Sequence, residues 1–459
     1  MKKLLIIATL AAVGMGACSK DDGVSAPEDL RKYVQVTIPE NAASGETRTS
    51  VDGTTTSWVA GDRVAVSLYN GSTTEVCEFT ADRTGATTTF SGSVPVGSYT
   101  CAAAHYPFCA ATFDAVNKTF THTWGDAYLA AYDFMFSTVY ETPFVVDETT
   151  TVLPIALTFR PLMARIGMRL ALGANETPKY VTFTTDDNVL PTAGTVNADG
   201  TFSASALTNS LTVETDRKEF TVGLLPVGVA SKMSVHVTTT DGMTYSDKSF
   251  QLAGLKRNTH YTMNVPCRTK RFMLTVPDGV NSKYGTDTYK DNGFFQVEPQ
   301  YDPESIFDGW YLLRSEIKSD KDAAGGDVLK NRNRIQLQAA NVSASRKYNG
   351  AFVTPPIQCD GTKTVTVSFT AATNTIIANS VEYRIGVTNN GADISENFLR
   401  SFDNIQSSQT GTCPWKHSGS VSRTHTFTVA NGQRIMMKLY TTCGSSYHLE
   451  LADFTYTVE

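Results

Sequence analysis

Short alternating stretches run through the chain from Val34 onward, and Gly, Asn, Asp or Pro interrupts them every eight to twelve residues. The stretches are rich in Thr, Val, Tyr and Phe, which favour β-strands. In each stretch every second side chain is apolar and can face a core. Clear examples are RVAVSLY (63–69), YVTFTT (180–185), MSVHVTTT (233–240) and TVTVSFTA (364–371). Short strands at this spacing predict antiparallel β-sandwiches.

Helical periodicity is nearly absent, so the predicted fold class is all-β. The one apolar run of helical length (166–172) lies between Pro161 and Gly173, and we interpret it as a buried strand. The sequence CRTKR (267–271) is interpreted as a charged linker. Breaks in the pattern divide the chain into a signal segment (1–17), a polar tether (18–30), two sandwiches (31–148 and 149–266) and a third unit (268–459).

The amino terminus has the pattern of a cleaved export signal. Lys2 and Lys3 precede an apolar stretch (4–13) that is too short to span a bilayer, and small residues (14–17) lead to Cys18. This arrangement resembles the lipobox of bacterial lipoproteins, and the resemblance implies lipid attachment at Cys18 and an anchor in the outer membrane. An ordinary secretory signal with a chance cysteine is the alternative.

The sequence SKDD (19–22) resembles the acidic export tag of surface lipoproteins. The resemblance implies display on the outer face of the cell, and a polar, solvated spacer is the alternative. No later stretch is apolar for long enough to cross a membrane as a helix.

Charge and cysteine content narrow the expected partners. The formal net charge is −6 and no basic patch is visible, so nucleic acid is not an expected partner. Seven cysteines follow Cys18. Disulfides Cys101–Cys109 and Cys413–Cys443 are plausible, but buried apolar thiols fit the sequence equally well. The cysteine spacing indicates no metal site, and no cofactor is expected.

The sequence contains none of the catalytic motifs GxSxG, HExxH or the P-loop. Its seven histidines are scattered singly, without paired spacing. An enzyme is therefore not expected, although the two carboxylates of a glycosidase can be distant in sequence and close in space.

Five phrases, in the family's order, resemble the fimbrillin-like family of surface lipoproteins and fimbrial subunits. The resemblance covers about residues 31–266 and implies two transthyretin-like β-sandwiches in tandem. Trp58, in the first phrase, is interpreted as a large amphipathic plug with a structural role. The phrases are ETRTSVDGTTTSWVAGDRVAVSLY (46–69), FSGSVPVGSYTCAAAHYP (90–107), LTFRPLMARIGMRL (157–170), GLLPVG (223–228) and LAGLKRNTHYTMNV (252–265).

The same resemblance implies a route of assembly. In polymerising members, a protease that cuts after arginine removes an N-terminal strand, and the exposed groove accepts a strand of the next subunit. Arg48 lies where such a cut would fall, after the strand VQVTIP (34–39). Other fimbrial subunits would then be partners by strand addition. The alternative, favoured by the long third unit, is an exposed loop arginine in a protein that never polymerises, or a terminal position in the fibre.

Residues 268–459 resemble a jelly-roll sandwich of the galactose-binding-like type. The resemblance depends on the segment 334–371 and on closing strands within 423–442 and 447–458. It implies that an extended segment containing Thr354-Pro355 leads into the first core strand, and that the last strand of the chain lies beside that strand. Trp310 is interpreted as a core residue.

Domains of this type bind glycans or serve as spacers. A sugar site needs exposed aromatic side chains beside polar planar groups. Trp415 follows Pro414 in a Gly/Ser-rich loop, a position where a tryptophan has little hydrophobic core to pack against. Capping the end of the sandwich is the alternative for each aromatic residue. The candidate carbohydrate-binding residues are Trp415, Lys416, His417, Arg400, Tyr348 and Tyr447.

The sequence therefore predicts a non-enzymatic, lipid-anchored cell-surface adhesin or fimbria-associated subunit, at the tip or in an accessory position. Its C-terminal domain would be lectin-like and would bind a host or dietary glycan. The alternative is a surface glycan-binding lipoprotein of a polysaccharide-uptake system. The two differ in what the last domain binds and in whether the chain enters fibres.

Overall fold

The regular structure of the chain is almost entirely β-strand, which confirms the all-β fold class. The helical parts described are one 3₁₀ turn (Tyr128–Ala130) and one short helix, α1 (Glu396–Arg400). The computed structural model describes residues 30–38, 50–52, 55–125, 128–130, 134–197, 199–252, 254–275, 294–296, 309–318, 329, 332–338, 349–373, 381–389, 391–401, 405–413, 419–440 and 448–459.

The first sandwich is built around a seven-stranded sheet with the order β1-β6-β5-β4-β8-β11-β13. Two short pairs, β7–β12 and β2–β3, accompany it. The strands in this part of the chain are β1 (Arg31–Ile38), β2 (Ser50–Asp52), β3 (Thr55–Ser57), β4 (Arg63–Tyr69), β5 (Thr74–Ala81), β6 (Thr88–Pro95), β7 (Gly97–Tyr99), β8 (Cys101–Tyr106), β9 (Thr112–Asp114), β10 (Thr119–Thr123), β11 (Met135–Ser137), β12 (Phe144–Val146) and β13 (Phe159–Pro161). Of these, β9 and β10 belong to a sheet of the second sandwich.

Both faces of the seven-stranded sheet are covered where β8 runs through it. Ala102 and Ala104 belong to the core of the first sandwich, whereas Ala103 belongs to the core of the second. All six residues of β8 are buried for this reason. Small side chains allow this double packing, because alternate residues of a strand point to opposite faces. The two sandwiches therefore share one sheet as a common wall.

The second sandwich combines a three-stranded sheet (β19-β14-β22) with the first strands of a ten-stranded sheet (β18-β15-β20-β21). A four-stranded sheet, β17-β16-β10-β9, completes it with a hairpin from the first part of the chain. The pair β14–β22 is parallel. The strands are β14 (Ala164–Leu170), β15 (Pro178–Thr185), β16 (Leu190–Asn197), β17 (Phe202–Thr208), β18 (Ser210–Glu214), β19 (Glu219–Leu224), β20 (Ser231–Thr239), β21 (Thr244–Leu252) and β22 (His260–Val265).

The segment between residues 149 and 161 packs with the first sandwich, although the sequence pattern assigned it to the second. Leu153 and Leu157 lie in the first core, and Phe159 lies in β13 of the seven-stranded sheet. Leu162 is the first residue of this region in the second core. The chain therefore passes from the first core to the second at Leu162. The local sequence pattern did not indicate this, because contacts with strands distant in sequence hold the segment.

The third sandwich packs the six-stranded sheet β24-β25-β28-β33-β30-β31 against the remaining strands of the ten-stranded sheet. Thr354 follows β28, and β29 pairs with the last strand β34, as the galactose-binding-like resemblance implied. The strands are β23 (Lys270–Met273), β24 (Phe294–Gln296), β25 (Tyr311–Leu313), β26 (Ser315–Lys318), β27 (Arg334–Gln338), β28 (Ala351–Val353), β29 (Thr362–Thr373), β30 (Val381–Thr388), β31 (Ile405–Cys413), β32 (Val421–Ala430), β33 (Ile435–Leu439) and β34 (His448–Val458).

The prediction of a charged linker at residues 267–271 is wrong. Its last two residues, Lys270 and Arg271, begin strand β23, which joins the second and third sandwiches in one sheet. β23 pairs with β21 on one side and with β34 on the other. Lys270 is 1% exposed, and its ammonium lies 2.9 Å from Glu176 Oε1 and 2.8 Å from Asp241 Oδ2. Asp241 Oδ2 also accepts a hydrogen bond from the backbone N–H of Gln358 at 2.9 Å. The linker charges are therefore partly buried in an ion cluster, which sequence alone did not indicate.

Candidate functional site

Most of the residues predicted to form sites lie outside the described part of the chain. These are Cys18, Arg48, Tyr348, Trp415, Lys416, His417 and Tyr447. Arg400 is the last residue of α1, and only its backbone is described. The described residues around these positions nevertheless define two regions with functional geometry, the edge strand β1 and one end of the six-stranded sheet.

Strand β1 forms an edge of the first sandwich and fills part of its core. The side chains of Val34, Val36 and Ile38 point inward and are 0–1% exposed, whereas Tyr33 and Thr37 face outward. The inward residues belong to the same core as Trp58. Trp58 is the predicted plug: it is 1% exposed and makes edge-to-face contacts with three aromatic rings. Removing β1 would leave a slot with pockets for alternate apolar side chains.

Backbone pairing holds β1 on both sides. Its eight residues pair with β6 in an unbroken antiparallel register. On the other side, Gln35 N donates to Thr151 O at 2.9 Å and Leu153 N donates to Gln35 O at 2.8 Å. A segment that left this position would expose N–H and C=O groups on two neighbours, which an incoming strand could satisfy.

Polar side chains of β1 also contact neighbouring strands, in part at the surface and in part in partly buried hydrogen bonds such as Gln35 Nε2 to Ser91 Oγ. Arg31 pairs with Glu75 at 3.0 Å, and both side chains are more than one-third exposed. Lys32 Nζ donates to Glu148 O at 2.6 Å. Exposed ion pairs stabilise a fold by at most about 1 kcal/mol each. The attachment of β1 therefore depends mainly on its backbone ladder and its three buried side chains.

Several residues that lie next to the predicted sugar-binding residues in sequence are at one end of the six-stranded sheet. Cys413, the last residue of β31, pairs with Val381, the first residue of β30. Tyr440 N donates to Glu382 O at 2.8 Å, and Leu439 N donates to Gly350 O at 2.9 Å. Gly350, Val381, Cys413 and Tyr440, which lie next to the segments that contain or precede those residues in sequence, are therefore all at this end of the sheet.

The face of the sheet that points away from the main core carries cationic and aromatic side chains at this end. The Arg384 guanidinium lies 3.6 Å from the centroid of the Tyr440 ring, a cation–π distance. Its buried Nε has no hydrogen-bond partner among the residues described. Lys438 is almost fully buried and donates to Leu399 O at 3.1 Å, the carbonyl of a residue in α1. An aromatic ring beside a planar cationic group is a combination that sugar sites use.

The remaining titratable groups indicate packing rather than catalysis. Burial lowers the pKa of His105 to about 4, and it stacks on Phe134 in the core. His425 accepts or donates in hydrogen bonds with Tyr383 Oη and Gln409 Oε1, both at 2.9 Å, and burial lowers its pKa. Within the described ranges, no three His, Cys, Asp or Glu side chains form a group that could hold a metal ion.

The cysteines described are free thiols, including Cys101 and Cys109, for which a disulfide was one of two expectations. Burial raises the pKa of the Cys413 thiol to about 12, which keeps it protonated. Its predicted partner Cys443 lies outside the described residues. Trp310 is fully buried, as predicted. Among the helices described, none is long and apolar enough to cross a membrane.

Comparison with known proteins yields one family match. The family described as fimbrillin-like matches residues 47–278, about half of the chain. This agrees with the predicted resemblance over about 31–266. No curated protein is a significant match.

Several solved structures are similar at low identity. A candidate cell adhesion protein of Bacteroides uniformis ATCC 8492 is 17% identical, with a TM-score of 0.35 over 52% of this chain and 94% of that one. The C-terminally truncated tip fimbrial protein Mfa3 of Porphyromonas gingivalis is 13% identical, with a TM-score of 0.25 over 54% and 96%. The C-terminal CBM6 of LamC from Zobellia galactanivorans is 7% identical, with a TM-score of 0.20 over 32% and 91%. At these TM-scores the likenesses support no functional inference.

Proposed function

The chain belongs to the fimbrillin-like family, and on that premise we propose that it is a non-enzymatic surface subunit of fimbriae or an adhesin. Family membership supports a fimbrial or adhesin-type role and a cell-surface location. The finer parts of the proposal are a lipid anchor at Cys18 in the outer membrane, strand addition at the position of β1, and a glycan-binding third sandwich.

The geometry of β1 is the observation that carries the strand-addition proposal. Three buried side chains at alternate positions and an unbroken backbone ladder attach this strand, and weak surface ion pairs add little. Cleavage after Arg48 would separate β1 from the rest of the chain, so that it could leave without unfolding the sheet. An extended strand of another subunit with the same alternation would then take its place.

Exchange of β1 can be measured with a labelled peptide of its sequence, RKYVQVTI. The full chain is treated with an arginine-specific protease, cleavage after Arg48 is verified by mass spectrometry, and incorporation of the peptide is followed by fluorescence anisotropy. The cleaved chain is expected to incorporate the peptide and the intact chain is not. A peptide with Val36→Asp should fail because residue 36 faces the core, whereas a Thr37→Asp control should still bind. Equal incorporation of both peptides would contradict the proposal.

The end of the six-stranded sheet supports glycan binding by the third sandwich. Arg384 and Tyr440 form a stacked pair there, and the chain leaves the described sheet at Cys413 and Tyr440. Several proposed sugar-binding residues follow these two positions in sequence. The proposed set is Trp415, Lys416, His417, Arg400, Tyr348 and Tyr447.

Glycan-array binding tests this part of the proposal. Trp415→Ala is expected to reduce binding at least about tenfold, a magnitude typical of losing an aromatic stacking contact. Tyr33→Ala, which removes a 67% exposed tyrosine from the first sandwich, is the matched control and should bind like the wild type. Array binding without assembled fibres on cells would favour the glycan-uptake alternative. Incorporation into high-molecular-weight, heat-labile polymers would favour fimbrial assembly.

A further inference from the structure

Strand β17 is an open edge of the second sandwich. It is the terminal strand of the sheet β17-β16-β10-β9, and no other strand described pairs with its free side. Its central residues 203–207 are all exposed. The sequence FSASALT carries no charge and no proline, the two devices that usually protect an edge from another strand. The edge is therefore competent to accept an extended chain.

A surface pocket lies at the amino-terminal end of this edge. Its volume is about 610 Å³, within the range of ligand sites, and Phe202, the first residue of β17, lines it. Pro226 and Leu255 supply further apolar wall, while Lys256 and Arg257 contribute positive charge. The pocket therefore combines an apolar wall with positive charge, and it lies where β17 begins.

The charge of the pocket favours an anion. Asp199 is the one carboxylate among its lining residues, against two cations. Asp199 Oδ1 already accepts hydrogen bonds from Thr201 N and Thr201 Oγ1, both at 2.8 Å, and these lower its pKa together with the nearby Arg257. No carboxylate of the described residues forms an ion pair with Lys256 or Arg257. Their donors are thus available to a ligand.

Gly200 positions the guanidinium. Its φ of +86° suits glycine, and a Cβ at this position would lie 2.6 Å from Arg257 Cζ. Arg257 therefore rests directly on the backbone of this turn. Any side chain at residue 200 would displace it from the pocket.

Strand direction specifies which end of a partner reaches the pocket. Every pair in this sheet is antiparallel. A strand added antiparallel to β17 ends beside Phe202, because its carboxyl terminus meets the amino terminus of β17. Its terminal carboxylate would then lie at Lys256 and Arg257, and its last side chain at the apolar wall.

We propose that β17 and this pocket form a docking site for the extended C-terminal segment of a partner protein that ends in an apolar residue with a free carboxylate. The backbone ladder would supply affinity, and the pocket would recognise the terminus. Strand β34 of a second copy is not the occupant, because it is paired on both sides and Glu459 exchanges backbone hydrogen bonds with Thr364. This site is distinct from the β1 position, so it is independent of strand exchange there.

Binding of acetylated hexapeptides Thr-Val-Thr-Val-Thr-Xaa to the full chain, with Xaa as Val, Leu or Phe, tests the proposal by titration calorimetry. At least one free-acid peptide is expected to bind with Kd below about 1 mM, and its C-terminal amide at least about tenfold more weakly. Arg257→Gln and Lys256→Gln should each weaken the free acid and leave the amide unchanged. Lys232→Gln, an exposed lysine on β20, is the matched control and should change neither.

Three results would overturn this assignment. These are no saturable binding of any free-acid peptide, equal binding of acid and amide, and full affinity in both the Arg257 and Lys256 variants. Circular dichroism verifies that each variant is folded. The exposed Lys256 provides a test that does not perturb the turn at Gly200. Because Arg48 is left uncleaved, failure here is separate from failure of strand exchange at β1.

Discussion

Replacing Lys270 by methionine is expected to destabilise the joint between the second and third sandwiches by about 3–5 kcal/mol. The ammonium is buried between Glu176 and Asp241, at 2.9 Å and 2.8 Å. It also donates to the carbonyl of Gln358, which belongs to the third sandwich. Methionine keeps the length of the side chain but leaves two buried carboxylates without a cation. The uncompensated charge produces the large loss.

Differential scanning calorimetry measures this loss, with Lys232→Met as the exposed control. The Lys270→Met variant should unfold the second and third sandwiches at lower temperature, whereas Lys232→Met should change stability by less than about 0.5 kcal/mol. Adding Glu176→Gln and Asp241→Asn to Lys270→Met removes the orphaned charges and should recover much of the loss. A loss below about 1 kcal/mol in the single variant, or no recovery in the triple variant, would refute the reasoning.

Two further perturbations act on strands of the seven-stranded sheet. Because burial lowers the pKa of His105 from 6.5 to about 4, the folded state binds fewer protons, so stability should be full above pH 6.5 and fall by about 3 kcal/mol towards pH 4. Chemical denaturation across this range should show a smaller slope for His105→Phe, and an identical slope would contradict the assignment. Gly92→Ala should cost at least about 1 kcal/mol in the same assay, because its Cβ would meet Glu78 O at 2.5 Å; unchanged stability would show that the strands move apart freely.

Strand positions were predictable because alternation is a local property. The stretch RVAVSLY coincides with β4, and TVTVSFTA lies within β29. The alternating pattern of β4 indicated burial of Val64, Val66 and Leu68 only, but Ala65 and Ser67 between them are buried as well. The alternating pattern assumes one solvated face, whereas this sheet is covered on both faces. Trp58 was correctly assigned a structural role and Trp310 a place in the core, because a large aromatic residue beside strand residues rarely stays in water.

Long-range pairing and charge burial were not predictable. Lys270 lies in a charged pentapeptide that has the composition of a linker, and only its distant partners Glu176 and Asp241 make its burial possible. The β17 pocket was missed for a related reason. Its lining residues come from three segments that are more than twenty residues apart in sequence. The proposed processing residue and all proposed sugar-binding residues except Arg400 fall outside the described ranges, only the backbone of Arg400 is described, and these sites remain predictions.

We propose that this chain enters surface fibres by exchange of β1. Mass spectrometry of the chain recovered from isolated fibres can determine its first residue. We expect Thr49, which follows Arg48, in heat-labile polymers. A chain that begins at lipidated Cys18 and is recovered only as a monomer would contradict it.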